Sequence, residues 1–152
     1  SRSPGLYRDR LHFQMNQRTL LLIKPNAVLH RHAGEIIHMI EESAFLMRDL
    51  KIMRFDRALA EQFYAEHLGK EFYPRLLDFM CSGDTIAVLL EKENAVRDLR
   101  KLVGDTDPAK REPRTIRALF AEGITENAVH ASDSPDHAAR EISLIFPHIN
   151  HY

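Results

Sequence analysis

The sequence predicts an α+β fold, a four-stranded antiparallel sheet covered by helices. Three observations carry that expectation. The 152 residues leave room for one domain with a single hydrophobic core. Short apolar runs of strand length alternate with helically spaced ones, in the order β-α-β-α-α-β-α-loop-β-α. The composition is that of an ordinary globule, with 44% hydrophobic and 28% charged residues and no tryptophan.

Thr19–Ile23 (TLLLI) is a continuous apolar run and reads as a buried strand. Pro25 holds Lys24 extended and stops that strand. A lysine at the end of an apolar strand is poorly placed unless it faces a cleft. From Gly34, the residues Ile36, Ile37, Ile40 and Ala44 follow helical spacing, with Glu35, Glu41 and Glu42 opposite. Phe45–Phe55 has strand composition with imperfect alternation. Residues 58–68 and 72–80 read as two short helices around Gly69. Thr85–Leu90 is a further apolar strand, entered through the turn Ser82-Gly83-Asp84. Asn94 is expected to cap a helix carrying Val96, Leu99, Leu102 and Val103 on one face, and Gly104 to end it. Residues 104–116 form the long irregular stretch, punctuated by Pro108 and Pro113, and loops of that length inside a compact domain are often functional. Asn127–Ala131 reads as a short strand. Ser134-Pro135 opens the last helix with a capping serine and a proline at the first helical position. With the two middle helices set aside as accessory, the order is βαββαβ, the ferredoxin-like split βαβ unit, with its helices expected on one face of the sheet.

Lys plus Arg is 21 and Asp plus Glu 22, a net charge of −1, which argues against a dedicated nucleic-acid surface. The one cysteine, Cys81, can make no internal disulfide, and no Cys/His grouping has zinc spacing, which points to a reducing, cytoplasmic setting. No apolar run approaches the roughly 20 residues of a spanning helix, so no membrane partner is expected. Residues 1–14 are basic without the apolar core of a secretory signal. They read as an N-terminal extension, native or added, before a start at Met15 and a domain over 15–152. None of the six glycines stands in a Gly-x-Gly pair or precedes Lys-Ser/Thr at phosphate-loop spacing. Phosphates, if bound, would be held by side chains. His30, His32 and His38 invite a metal reading, but nothing completes a site with recognisable spacing, and they read as solvated surface. Glu141 falls on the polar side of its helix and by pattern alone reads as solvated too.

The segment Asn127-Ala128-Val129-His130-Ala131-Ser132-Asp133-Ser134 resembles the active-site signature of nucleoside diphosphate kinases, Asn-x-x-His-Gly-Ser-Asp. Further stretches match the same family in order: Lys24-Pro25-x-x-Val28, Gly34-Glu35-Ile36-Ile37, Phe63-Tyr64, Phe72-Tyr73-Pro74, Ser82-Gly83, Arg100-x-x-x-Gly104-x-Thr106-x-Pro108, Pro113-x-Thr115-Ile116-Arg117 and Glu141-Ile142-Ser143. They run without a gap from Gln17 to Phe146.

The resemblance implies a ping-pong phosphoryl transfer between a nucleoside triphosphate and a nucleoside diphosphate. It makes His130 the phosphoryl acceptor, with Glu141 holding its ring and Ser132 beside that pair. It assigns Lys24, Tyr64, Arg100, Thr106 and Arg117 to the phosphates. Phe72 would stack on the base with Ile124 opposite, and Lys24 and Asn127 would meet the sugar hydroxyls. It further implies Mg²⁺ arriving through the nucleotide phosphates rather than on a protein site, and a homo-oligomer. The residue types suit that chemistry: a neutral imidazole is a nucleophile near pH 7, and phosphoryl transfer needs positioning and positive charge. Four positions depart from the family pattern: Asn26 for aspartate, Asp84 for proline, Arg114 for glycine and Ala131 for glycine. Two other readings compete, a non-catalytic regulatory or nucleic-acid-binding domain on the same fold, and a metal-binding module using residues 30–38.

Overall fold

Strand β1 (Gln17–Ile23) occupies the middle of the fold. Leu20, Leu21, Leu22 and Ile23 are all fully buried, so both faces of the strand meet a core. With β2 (Leu46–Arg54), β3 (Asp84–Lys92) and β4 (Val129–Ala131) it forms one sheet in the order β2-β3-β1-β4. Every neighbouring pair is antiparallel, as the βαββαβ order predicts. The computed structural model describes residues 16–149. The expected extension 1–14 and the boundary at Met15 lie outside the described residues.

Helices cover both faces of this sheet, not one. Helices α2 (Ala33–Glu42), α5 (Ala95–Val103) and α6 (Ile116–Phe120) pack with Leu21, Ile23, Val88 and Leu90. Helices α3 (Arg57–Phe63), α4 (Tyr73–Met80) and α7 (Pro135–Ile145) pack with Leu20, Leu22, Ala87 and Leu89. The helices set aside as accessory are two of the three helices of the second layer. The physical reason is in the strands: a run such as TLLLI has no polar face to leave wet. Exposing one of those leucines would cost about 1.5–3 kcal/mol.

Other elements differ in detail. Pro25 starts a short helix, α1 (Pro25–Leu29), with the proline at its first position, where no backbone donor is needed. The helix expected over 58–68 ends at Phe63 and continues as a 3₁₀ turn, Ala65–His67. The register of β2 shifts between Met47 and Asp49, yet its burial alternates strictly; the apolar pattern is imperfect because Leu46, Leu50 and Ile52 fall on the exposed face while Asp49 and Lys51 are half-buried. Asn94 does precede α5, but its side chain caps nothing; it sits in the left-handed region at φ 55°, which asparagine tolerates. Gly104 ends α5 at φ 90°, and a Cβ there would lie 2.5 Å from Thr115 Oγ1, so the position requires glycine. Ser134 caps α7 as expected, accepting from the His137 N–H. Arg114 holds a left-handed backbone at φ 67°, the conformation a glycine adopts freely, at a cost of about 1–2 kcal/mol. Among the described residues no helix is long and apolar enough to cross a membrane.

Candidate active site

The short strand β4 places His130 opposite Leu22 of β1, at the C-terminal end of the sheet's central strand. Helix α7 returns over the sheet and presents Glu141 from the face that also buries Ala138, Ile142 and Ile145. Glu141 is therefore buried rather than solvated, at 3% exposure. Its Oε1 lies 2.7 Å from His130 Nε2 and accepts from Ser132 Oγ at 2.7 Å. Burial pushes the Glu141 carboxyl up, but hydrogen bonds from His130 and Ser132 outweigh it and hold the group below its usual range. A charged carboxylate at Nε2 keeps the proton on that nitrogen, leaving Nδ1 with its lone pair. Phe63 and Tyr64 meet the imidazole edge-on, with centroids 5.0 and 6.2 Å away, and fix the ring plane.

His130 stands where two halves of one cleft join. One half, about 480 Å³, is lined by Arg100, Thr106, Arg117, His130 and Glu141. The other, about 390 Å³, is lined by Lys24, Tyr64, Phe72, Ile124, Asn127 and again Thr106, Arg117 and His130. Ser132 stands behind the cleft, against Glu141. The loop expected over 104–116 forms the far wall, braced by Arg111, which donates to the carbonyls of Asp105 and Thr106.

The charges are prepared for an anion. Burial pushes the Lys24 ammonium down to about 7, with Arg117 acting the same way and Glu126 against it. Lys24 Nζ donates to Asn127 Oδ1 at 2.8 Å. Burial, followed by Arg100 and Arg111, lowers Arg117 to about 10. Arg117 donates to the carbonyls of Gly104 and Val129, yet its Nε is buried with no partner. The Tyr64 hydroxyl is likewise buried and unpartnered, and burial raises its pKa. Unpaired buried donors are costly, and two of them at one cleft wall suit acceptor oxygens supplied by a ligand. Phe72 and Ile124 are the opposite case: large apolar side chains left 46% and 73% exposed on either side of the cleft.

The pattern missed His67, Glu66 and Asp133, which also line the cleft. His67 stacks on Tyr64 at 6.1 Å and lies 5.3 Å from Phe72. The signal was proximity in sequence: Glu66-His67 follows Tyr64 after one alanine, and Asp133 lies inside the signature octet. Glu66, Asp133 and His137 bring potential ligand atoms within 4.8 Å of one another at the rim. The histidines read as solvated are in part engaged: His30 lies 2.6 Å from Glu122 and the His32 ring packs on Phe120 at 4.8 Å.

The family model for nucleoside diphosphate kinase matches residues 17–150. The chain belongs to the nucleoside diphosphate kinase family. The nucleoside diphosphate kinase of Methanocaldococcus jannaschii is 46% identical over 132 residues, 87% of this chain and 94% of that one. That of Rubrobacter xylanophilus is 47% identical over 130 residues, 86% and 98% respectively. The crystal structure of the Aquifex aeolicus nucleoside diphosphate kinase superposes with a TM-score of 0.83 at 38% identity, covering 86% of this chain and 95% of that chain. The Halobacterium salinarum nucleoside diphosphate kinase, solved in complex with CDP, gives 0.83 at 36% identity over 86% and 88%. Against the nucleoside diphosphate kinase pattern, Asn26 has a use of its own: its amide donates to Glu122 Oε1 at 3.3 Å and to the Glu126 carbonyl at 3.1 Å. An aspartate there would face Glu122 as a like charge.

Proposed function

We propose that this nucleoside diphosphate kinase works by a ping-pong mechanism through a phosphohistidine at His130. The observation that carries the reading is the imidazole tied at Nε2 to Glu141 while the ring lines a cleft with Lys24, Arg100 and Arg117. The Nδ1 lone pair attacks the γ-phosphorus of a bound triphosphate, the bond to the bridging oxygen breaks, and the diphosphate leaves. A second diphosphate enters the same cleft, a terminal oxygen of its β-phosphate attacks the phosphoramidate, and Nδ1 is released. Arg100, Arg117, Lys24, Thr106 and Tyr64 hold the phosphate oxygens, and Lys24 and Asn127 the sugar hydroxyls. Phe72 and Ile124 sandwich the base, reading its π-face and not its edges. Mg²⁺ suits this site, since it takes phosphate oxygens with one or two carboxylates, and Glu66 and Asp133 at the rim are donors of that kind; bound there, it would supply charge neutralisation between the phosphates. The deciding experiment is incubation with γ-labelled ATP and Mg²⁺: acid-labile label on the protein that passes to added GDP supports the mechanism, and acid-stable label or none overturns it.

Lys24 gives this reading a proton signature. With its pKa held near 7, the side chain is largely uncharged in the free protein at pH 8. Phosphate oxygens beside it favour the charged form, so nucleotide binding at pH 8 takes up protons, and less so at pH 6, where Lys24 is already charged. Calorimetric titration of a nucleoside diphosphate in buffers of different ionisation enthalpy measures the uptake; zero uptake at pH 8 contradicts the assignment of Lys24.

Self-association belongs to the same proposal. Strand β2 is an outer strand of the sheet and exposes Leu46, Leu50 and Ile52, the last at 66%. An apolar outer strand is a liability unless it is covered, and a second copy of this chain covers it. Ile52→Lys is expected to shift sedimentation toward a smaller species; an unchanged profile places the contact elsewhere. A cytoplasmic location rests on the lone free Cys81.

A further inference from the structure

The two sides of the apolar gap belong to different elements. Phe72 is the residue just before α4, at its N-terminal cap, and Arg75 lies in the first turn of that helix. Ile124 stands on the loop that joins α6 to β4. That loop is closed on itself: the Glu126 carbonyl accepts from the N–H groups of Glu122 and Gly123 and from the Asn26 amide. Across the gap, one Arg75 guanidinium nitrogen donates to both oxygens of Glu126, at 3.0 and 3.2 Å. Gly123 leaves space for that carboxylate, since a Cβ on it would lie 3.1 Å from Glu126 Oε2.

We infer that the Arg75–Glu126 pair is a strut that sets the spacing between Phe72 and Ile124 and so tunes how firmly the nucleobase is gripped. The inference rests on the proposed placing of the base between those two side chains. Three donors fix the Glu126 backbone, so a pull on its carboxylate moves α4 relative to the loop and not the loop alone. Arg75 and Glu126 are positioning residues: they act through the width of the gap, on the base and not on the phosphates. The pair is partly solvated, Arg75 being 70% exposed, and a pair of this kind supports a change of roughly two- to fivefold.

The test compares a ligand with a base and one without. GDP and ribose 5-diphosphate are titrated calorimetrically into the wild-type protein, Arg75→Ala, Glu126→Gln and the double variant. Glu126→Gln also removes a negative charge from the neighbourhood of Lys24, so the quantity read is the ratio of the two affinities. Each single variant is expected to lower the preference for GDP over ribose 5-diphosphate by roughly two- to fivefold. The double variant is expected to lower it no further, because both changes remove one contact. The rate of phosphoenzyme formation at saturating ATP should stay within about twofold. An unchanged preference, or single effects that multiply in the double variant, overturns the strut. If wild-type protein binds the two ligands equally, the placing of the base itself is wrong and the strut falls with it.

Discussion

His130→Ala is expected to fold and to form no phosphoenzyme with ATP and Mg²⁺. Nucleoside diphosphate kinase activity should fall by at least about 10⁴-fold, the scale on which removal of a covalent nucleophile is felt. The fold should survive because the imidazole is an end group on the cleft wall, and Ser132 still donates to the buried Glu141 carboxylate. That carboxylate loses one partner, worth about 1–3 kcal/mol, which a thermal melt will register as a lowered midpoint. Labelling with γ-labelled ATP is the check. Retained transfer to a diphosphate, from a variant with no histidine at this position, places the chemistry on another residue.

Arg117→Ala is expected to lower kcat/KM by about 10²–10³-fold, typical of losing one fixed donor to developing charge. The side chain is 8% exposed, and its Nε has no protein partner. A phosphate placed as proposed would gain a donor that is already dehydrated. Arg117 also ties the carbonyls of Gly104 and Val129 together, so a share of the loss could come from a slackened loop. Arg100→Ala separates the two causes, because Arg100 is an exposed residue in the last turn of α5 with no such tether. Its variant should keep the wild-type melting temperature and still lose transfer rate. Near-normal kcat/KM in both variants means that the phosphates lie elsewhere.

Local sequence carried much of the sheet. TLLLI and Thr85–Leu90 announced strands by composition, and Ser134-Pro135 announced a helix start by stereochemistry. TLLLI, apolar on both faces, called for two layers, but nothing local marked α3 and α4 as part of the second, and they read as accessory. Helix α6 was missed because five residues give no periodicity to detect. Asn94 misled because its side chain allows two structures, a cap or a left-handed turn, and the neighbouring residues do not decide between them. At the site, Lys24 was legible by physics alone, as a cation ending an apolar strand. Glu141 was not: its burial follows from the crossing of α7 over the sheet, and only the resemblance singled it out. Arg75 and Glu126 had no signal at all, since each is an ordinary surface charge until the fold brings them together.

The position of β4 has a consequence for how the molecule comes into being. His130, Ser132 and Glu141 all arrive with the last described strand and helix, whereas the strand that receives β4 lies near the start of the described residues. Lys24 and Asn127, which share a hydrogen bond in the cleft, are 103 positions apart in sequence. A chain emerging from the ribosome can pair β1 with β3 and cover part of the sheet while the reactive imidazole is still inside the exit tunnel. Contacts of such long sequence separation are closed late, after the loop entropy between them has been met by earlier packing. On the proposed mechanism the growing chain transfers no phosphate until β4 has emerged, and a product cut short between β4 and α7 would keep His130 but lack the Glu141 carboxylate that orients it.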